Sequence, residues 1–366
     1  MHISHSNKTK YSPIGIDVGT RSINIAQLAG TADGIVIHDA DIVNLPEENL
    51  IKEDVIIQVL SDVMKRNNFK GKDVVYRMPP SLVSIVPVKI SKRENETIEQ
   101  AILRESKEYI PYPISDAVID YLPVKSADEG EGKSTKVLLI FVKRSDVISH
   151  LNMLKKIGLH AHAIDIGPNA INRTIKRFKE YSEKRILVIN IGHDNSFSTI
   201  LWDDAILIDR KMGWGLNNIT EKLVSNLDVN IDEARRILFK HGIDWLSVPQ
   251  ITLDENTFLM NDSDIPVHIY EIVMPALSEL NKEIEKILVY CTSEMKGAMI
   301  DKIYLMGSGG FLKHLTSYVH EIFGINVNVF EPGAIFSKSG KLKDIVKNNF
   351  PVFMVPIGLA LRGYDA

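Results

Sequence analysis

One short pattern occurs twice in this chain, and no other feature constrains the fold as strongly. Residues 16–22 run Ile-Asp-Val-Gly-Thr-Arg-Ser, and residues 189–196 run Ile-Asn-Ile-Gly-His-Asp-Asn-Ser. In both, an apolar residue, a carboxylate or amide, a second apolar residue and a glycine lead into a polar turn. Alternating polarity around the turn predicts a strand–turn–strand unit. The alternation puts Asp17 and Asn190 on the face opposite their apolar neighbours. Glycine permits close backbone approach, and successive N–H groups of such a turn converge on an anion. Thr20, Arg21 and Ser22 add donors to the first turn, and Asn195 and Ser196 to the second. Either hairpin alone reads as an ordinary polar turn. The pair predicts two related halves facing one cleft, with a triphosphate gripped from both sides.

A third element follows. The apolar run 303–306 feeds Gly307, Ser308, Gly309 and Gly310, and then a helical pattern. This order suits close backbone approach to a flat ligand, and it suits a plain strand–helix turn equally well.

A length of 366 residues suggests two or three domains' worth of core. With 45% apolar and 25% charged residues the chain is neither disordered nor fibrous. A formal net charge of −4 gives no basis for nucleic-acid binding through bulk charge. The single cysteine, Cys291, cannot form an internal disulfide, which fits a reducing compartment. No apolar run approaches the roughly 20 residues of a spanning helix. Residues 1–10 are polar and lack the apolar core of a signal peptide. The expectation is a cytoplasmic protein with no direct membrane insertion, brought to any membrane by a partner.

Apolar spacing predicts a helix at 55–67 and a strand at 73–78 that ends on Pro79 and Pro80. Residues 82–163 form a compositional unit of their own. It has strands at 84–90, 116–124 and 136–143 and a solvated loop at 125–135. It also has a helix at 96–110 stopped by Pro111 and Pro113, and one at 145–157 capped by Ser145 and ended by Gly158. Further helices are predicted at 168–181, with proline in the first turn, over most of 216–242, and at 270–294, with Pro275 near its start or at a kink. The expected organisation is a mobile tail at 1–12 and a first lobe at 13–81, resumed at 164–185 after an inserted subdomain at 82–163. A second lobe at 186–350 has a helical part at about 217–300. A C-terminal helix within 351–366 returns to the first lobe.

The paired hairpins and the glycine loop, in this order, resemble the actin, sugar-kinase and DnaK-type ATPase superfamily. Five segments narrow the resemblance: 14–26, 108–114 (Glu-Tyr-Ile-Pro-Tyr-Pro-Ile), 211–220 (Lys-Met-Gly-Trp-Gly-Leu-Asn-Asn-Ile-Thr), 305–312 and 357–362. Together they look like the PilM family, the cytoplasmic FtsA-like component of type IV pilus assembly, over nearly the whole chain after about residue 13. The resemblance implies an α/β, actin-like ATPase fold with ATP or ADP and Mg²⁺ in the cleft and an FtsA-type insertion. It implies a groove between first lobe and insertion that binds the cytoplasmic N-terminal tail of a PilN-like, single-span inner-membrane protein. Other proteins of the pilus assembly platform would be partners as well.

Carried over by position, the resemblance puts Asp17 near Mg²⁺ through water, since Mg²⁺ keeps several waters. Gly19, Thr20, Arg21 and Ser22 would meet the phosphates, opposed by Asn190, Gly192, Asn195 and Ser196. Gly309 and Gly310 would approach the adenosine, with Gly307 and Ser308 also in the nucleotide site. Glu233 and Arg236 resemble positions flanking adenine and ribose, and fit a solvated helix face equally. Tyr109, Ile110 and Tyr112 are residue types that make good anchors for a partner groove, and they fit packing of the insertion's helix on its sheet as well.

One departure bears on turnover. Active members of the superfamily usually carry aspartate where this chain has Asn190. An amide is a poor base, and losing a general base costs roughly 10²–10⁴ in rate. Slow or absent hydrolysis is expected, unless the neighbouring Asp194 compensates. An active ATPase or kinase on the same fold is the alternative reading. A polymerising FtsA-like protein is a further one, although no C-terminal amphipathic segment is evident. His160 and His162 share a strand face but have no obvious third ligand, so a surface pair is expected. Cys291 lies on an apolar helical stripe and reads as core. Asp203 and Asp204 read as a turn, and 341–347 as a solvated basic cluster. No catalytic triad and no zinc-spaced cysteine set is present.

Overall fold

The computed structural model describes residues 9–32, 34–45, 52–124, 134–178, 184–203, 205–243, 265–330 and 349–364. Each predicted hairpin forms and seeds a sheet of the same design. In the first lobe, β2 (Ile14–Val18) and β3 (Ser22–Thr31) pair antiparallel, with Asp17 opposite Asn24. β4 (Gly34–Asn44) continues on β3. On the other side of β2 lie β5 (Asp73–Arg77) and β9 (His160–Asp165), both parallel. The second lobe repeats this order. β10 (Arg185–Ile191), β11 (Ser196–Trp202) and β12 (Ala205–Met212) are antiparallel, and β13 (Lys302–Gly307) and β14 (Asn326–Val329) then add on in parallel. The internal repeat seen in the sequence is therefore a repeat of topology.

Two helices fill the space between the sheets: α4 (Gly167–Lys176) and α9 (Phe350–Leu361). One shared core joins Ala170 and Ile171 of α4, Met354 and Leu359 of α9, Val75 of β5 and Val188 of β10. α9 is buried at every position from Phe353 to Leu361, as a helix apolar all round must be. Two glycines allow this. A Cβ on Gly15 would strike the carbonyl oxygen of Pro356, and one on Gly358 that of Ala170. Gly358 of the 357–362 segment is thus a packing residue.

The insertion is a three-stranded sheet in the order β6 (Ser84–Ser91), β8 (Ser134–Lys143), β7 (Ala117–Pro123). It is covered by α2 (Ile98–Glu105), which opens on a capping box between Thr97 and Gln100. The insertion closes at 143, earlier than the expected 163. α3 (Arg144–Ile157) buries Met153 and Leu154 in the first-lobe core with Leu60 and Val63 of α1 (Glu53–Arg66), and β9 then extends the first sheet. A parallel β5–β9 pair needs a crossover, and the whole insertion plus α3 supplies it.

Other boundaries shift by local chemistry. The 96–110 helix ends at Glu105 and passes into a 3₁₀ turn at Ser106–Glu108. Lys143, not Ser145, is the N-cap of α3, while Gly158 ends it at φ 79° as expected. α4 ends at Lys176, short of 181. Lys10 and Tyr11 of the expected tail form a short strand, β1 (Lys10–Tyr11), on β3. The second lobe is completed by α5 (Leu216–Leu227), α6 (Ile231–His241), α7 (Ile265–Glu294), which carries Pro275 in its interior, and α8 (Leu315–Phe323). The 341–347 cluster, Asp204 and most of the 125–135 loop lie outside the described residues.

Candidate functional site

The two hairpin turns face each other across a cavity of about 450 Å³ between the lobes. Gly19, Thr20, Arg21 and Ser22 line one side and Asn190, Gly192, His193 and Asn195 the other, with Gly307 and Ser308 at the end of β13. The first turn is closed by the Gly19 N–H donating to the Ser22 carbonyl at 2.8 Å. The second is braced from outside by the first turn of α5. Leu216 N–H donates to the Gly192 carbonyl at 3.0 Å and Asn217 N–H to that of His193 at 2.8 Å. This contact explains the segment at 211–220. A Cβ on Gly215 would meet the His193 oxygen, and buried Trp214 donates from Nε1 to the Ala276 carbonyl of α7 at 2.8 Å.

Asp17 points into the cleft as expected, but its carboxylate is already paired. Arg77 Nη1 donates to Asp17 Oδ1 at 2.6 Å, with side chains 9% and 8% exposed. The Nε of Arg77 is buried without an acceptor. Beside it the Tyr76 hydroxyl meets His150 Nδ1 at 3.1 Å. Burial first, and then nearby Asp17, pushes that phenol well up. The sequence reading missed this cluster. Its signal was there: an arginine directly after the apolar and aromatic run Val74, Val75 and Tyr76 of β5.

His193 is the second group not assigned from sequence. Burial, then the positive charges of Arg235 and Arg21, bring its imidazole down to about 4, so the ring is neutral at pH 7. Its Nδ1 is buried without a partner. Asp194 lies outside the cavity lining and accepts from Asn217 Nδ2 at 2.7 Å. A Cβ on Gly307 would clash with the Asn190 side-chain oxygen, and Gly307 has φ 72°. Arg21, Arg77 and Lys211 line the cavity with Asp17 and Glu53, which leaves a formal excess of one positive charge on its wall.

A smaller cavity of about 310 Å³ shares Arg77, Asn190, Phe197 and Lys211 with the cleft. Asp209 faces it, accepting from Thr199 Oγ1 at 2.6 Å. Burial raises the Asp209 carboxyl to about 6, against the Thr199 bond and the charge of Arg77.

Several expected site residues are placed elsewhere. Ser196 is fully buried behind the second turn. Gly309 packs on the Ile191 side chain, and a Cβ on Gly310 would lie 2.8 Å from Pro351, so both serve close packing behind the cavity. Glu233 and Arg236 pair with each other at 3.5 Å on an exposed face of α6, outside the cavity lining. Ile110 is buried in the insertion core, and Tyr112 packs edge-on against Phe141. Tyr109 is exposed and Tyr112 half-buried. Leu103 of α2, Val118 of β7 and Ile148 and Leu151 of α3 are further exposed apolar residues, and α3 contacts β7. Arg144 ties α3 to the Ser115 and Ala117 carbonyls, and Ile148 and Leu151 lie one and two turns further along the same helix face.

His160 is exposed, 3.7 Å from Asp73, and no group of three candidate metal ligands occurs among the described residues. The Cys291 thiol is buried in the second-lobe core and pushed up to about 12 by burial. No helix among the described residues is long and apolar enough to cross a membrane.

The chain is similar in structure to a PilM–PilN type IV pilus biogenesis complex at TM-score 0.79 and 20% identity, covering 97% of this chain and 99% of that one. It also resembles the ethanolamine utilization protein EutJ from Carboxydothermus hydrogenoformans (TM-score 0.51, 13% identity, 96% and 89% covered). MreB 5 of Spiroplasma citri bound to AMPPNP is a further likeness (TM-score 0.50, 11% identity, 96% and 95% covered). These neighbours establish the actin-like fold. The family model for the type IV pilus assembly protein PilM matches residues 15–243 and 250–364. Nearly the whole length of this chain, both hairpins and the insertion included, thus belongs to the PilM family of type IV pilus assembly proteins.

Proposed function

We propose that this protein is a nucleotide-binding scaffold of a type IV pilus assembly platform, cytoplasmic and held at the inner membrane by the N-terminal tail of a PilN-like protein. The observation that carries the reading is the cleft between two hairpins of one design, with its formal excess of positive charge, inside a chain of this family. The turn N–H groups of 19–22 and 192–195, with Arg21 and Lys211, would take the phosphates of ATP or ADP. Gly307 and Ser308 would lie against the nucleoside.

The residues present favour slow turnover. Asn190 is an amide, His193 is a weak base near pH 7 and Asp194 is engaged by Asn217. A brisk ATPase or kinase and a polymerising division protein are not favoured by the whole-chain family match. Arg77 already holds Oδ1 of Asp17, the carboxylate near which magnesium is expected through water, and so competes with the metal for its charge.

The proposed partner surface is the exposed apolar set of Tyr109, Val118, Ile148 and Leu151, between the insertion and α3. A structural neighbour is itself a PilM–PilN complex, which supports a tail of that kind as the occupant. Titration of the purified protein with ATP, ADP and the tail peptide of its PilN-like partner tests the proposal. Both ligands are expected to bind, and binding of neither would sink it. Ile148→Asp is expected to weaken peptide binding about tenfold or more and leave nucleotide affinity unchanged.

A further inference from the structure

The position facing Asp17 is filled by a side chain. Arg77 is the last residue of β5, the strand next to β2, so its guanidinium emerges beside the first hairpin. It donates to Asp17 Oδ1 at 2.6 Å, and the pair is more than nine-tenths buried. Its Nε hydrogen has no acceptor in the protein. Arg77 also lines both the main cleft and the adjoining cavity that holds Asp209, so its charge lies between a carboxylate of each lobe.

A guanidinium and a divalent cation compete for one carboxylate. Magnesium takes oxygen ligands in a strict octahedron. At Asp17, Oδ1 already accepts from a buried arginine, so a cation approaching this carboxylate meets a positive charge at hydrogen-bond distance from it. Guanidinium remains charged at any working pH, and its planar fork of donors matches phosphate as well as carboxylate.

We propose that Arg77 is the resident counter-cation of this cleft. It neutralises Asp17, turns remaining donors to the phosphates and lets the protein bind nucleoside di- and triphosphates without a divalent cation at Asp17. The inference rests on the nucleotide reading above and goes beyond it in assigning the charge balance of the site to a side chain.

Calorimetric titration of the full chain with ADP and with ATP, in excess EDTA and in excess Mg²⁺, tests it. Wild-type affinities are expected to agree within about threefold between the two buffers. Arg77→Gln is expected to bind about tenfold or more weakly in EDTA and to recover affinity in Mg²⁺, while Arg77→Lys stays insensitive to the metal. Asp17→Asn, which leaves Arg77 in place, is the control should the arginine variants fail to fold. It is expected to keep or tighten binding in EDTA, because it removes a negative charge beside the phosphates. A wild-type affinity that falls about tenfold or more in EDTA overturns the proposal, as does loss of binding by Asp17→Asn in both buffers. A wild-type protein that binds no nucleotide in either buffer refutes the nucleotide reading as well, so the two failures are distinguishable.

Discussion

The two hairpins share a pattern and a strand order, yet they differ in what surrounds the polar residue before the glycine. In the first lobe Asp17 is charged, buried and clasped by Arg77 from the neighbouring parallel strand. In the second, Asn190 is a neutral amide set against Gly307 from the equivalent strand, β13. The turns differ too. The first is closed within itself, whereas the second is packed from outside by α5 and carries a histidine that burial keeps neutral. A duplicated backbone carries an ion pair before the glycine of one hairpin and a neutral amide before that of the other.

The largest expected consequence lies at the ion pair. Arg77→Ala leaves the Asp17 carboxylate buried and unpaired, and is expected to destabilise the fold by about 3–5 kcal/mol. Asn190→Ala removes no charge and is expected to cost about 1 kcal/mol. Urea unfolding of the two variants compares them, and equal losses would show that the halves do not differ electrostatically.

The second hairpin is probed by pH. His193 sits near 4 in the folded protein against an ordinary value of 6.5. Between those values the unfolded chain binds more protons than the folded one, so stability falls as pH drops from 6.5 toward 4. The loss from this residue is on the order of 2–3 kcal/mol, and His193→Gln is expected to flatten that part of the stability–pH curve. An unchanged curve would place the imidazole in contact with water.

The smallest effect separates the turns by packing. A Cβ on Gly192 would lie 2.6 Å from the Asn195 carbonyl, and one on Gly19 would lie 3.2 Å from that of Ser22. Gly192→Ala is expected to cost about 1–3 kcal/mol and Gly19→Ala less than about 1 kcal/mol. Thermal melts of both would reverse the comparison if Gly19 proved the costlier site.

Much of this was legible in the sequence, and what escaped has physical causes. The hairpins, the glycine loop and the long helices follow from periodicity and turn chemistry, which act over a few residues. The insertion's end at 143 was not legible, because α3 has an amphipathic pattern that fits either unit. Only contact with Leu60 and Val63 assigns it to the first lobe. Gly309 and Gly310 looked like ligand-approach glycines, and the neighbours that require them, Ile191 and Pro351, are distant in sequence. Ile110 and Tyr112 looked like anchors, and both pack on the insertion's own sheet. The exposed apolar set on α3 and β7 was missed, because exposure is not a local property.

By itself, then, the sequence determined the family, the two-lobed actin-like plan and the face on which Asp17 and Asn190 sit, since alternation and turn residues dictate these locally. The tertiary structure decided what those two residues meet. Arg77 and Gly307 reach them only because β5 and β13 lie parallel beside the hairpin strands, contacts between residues far apart in the chain that no local pattern specifies.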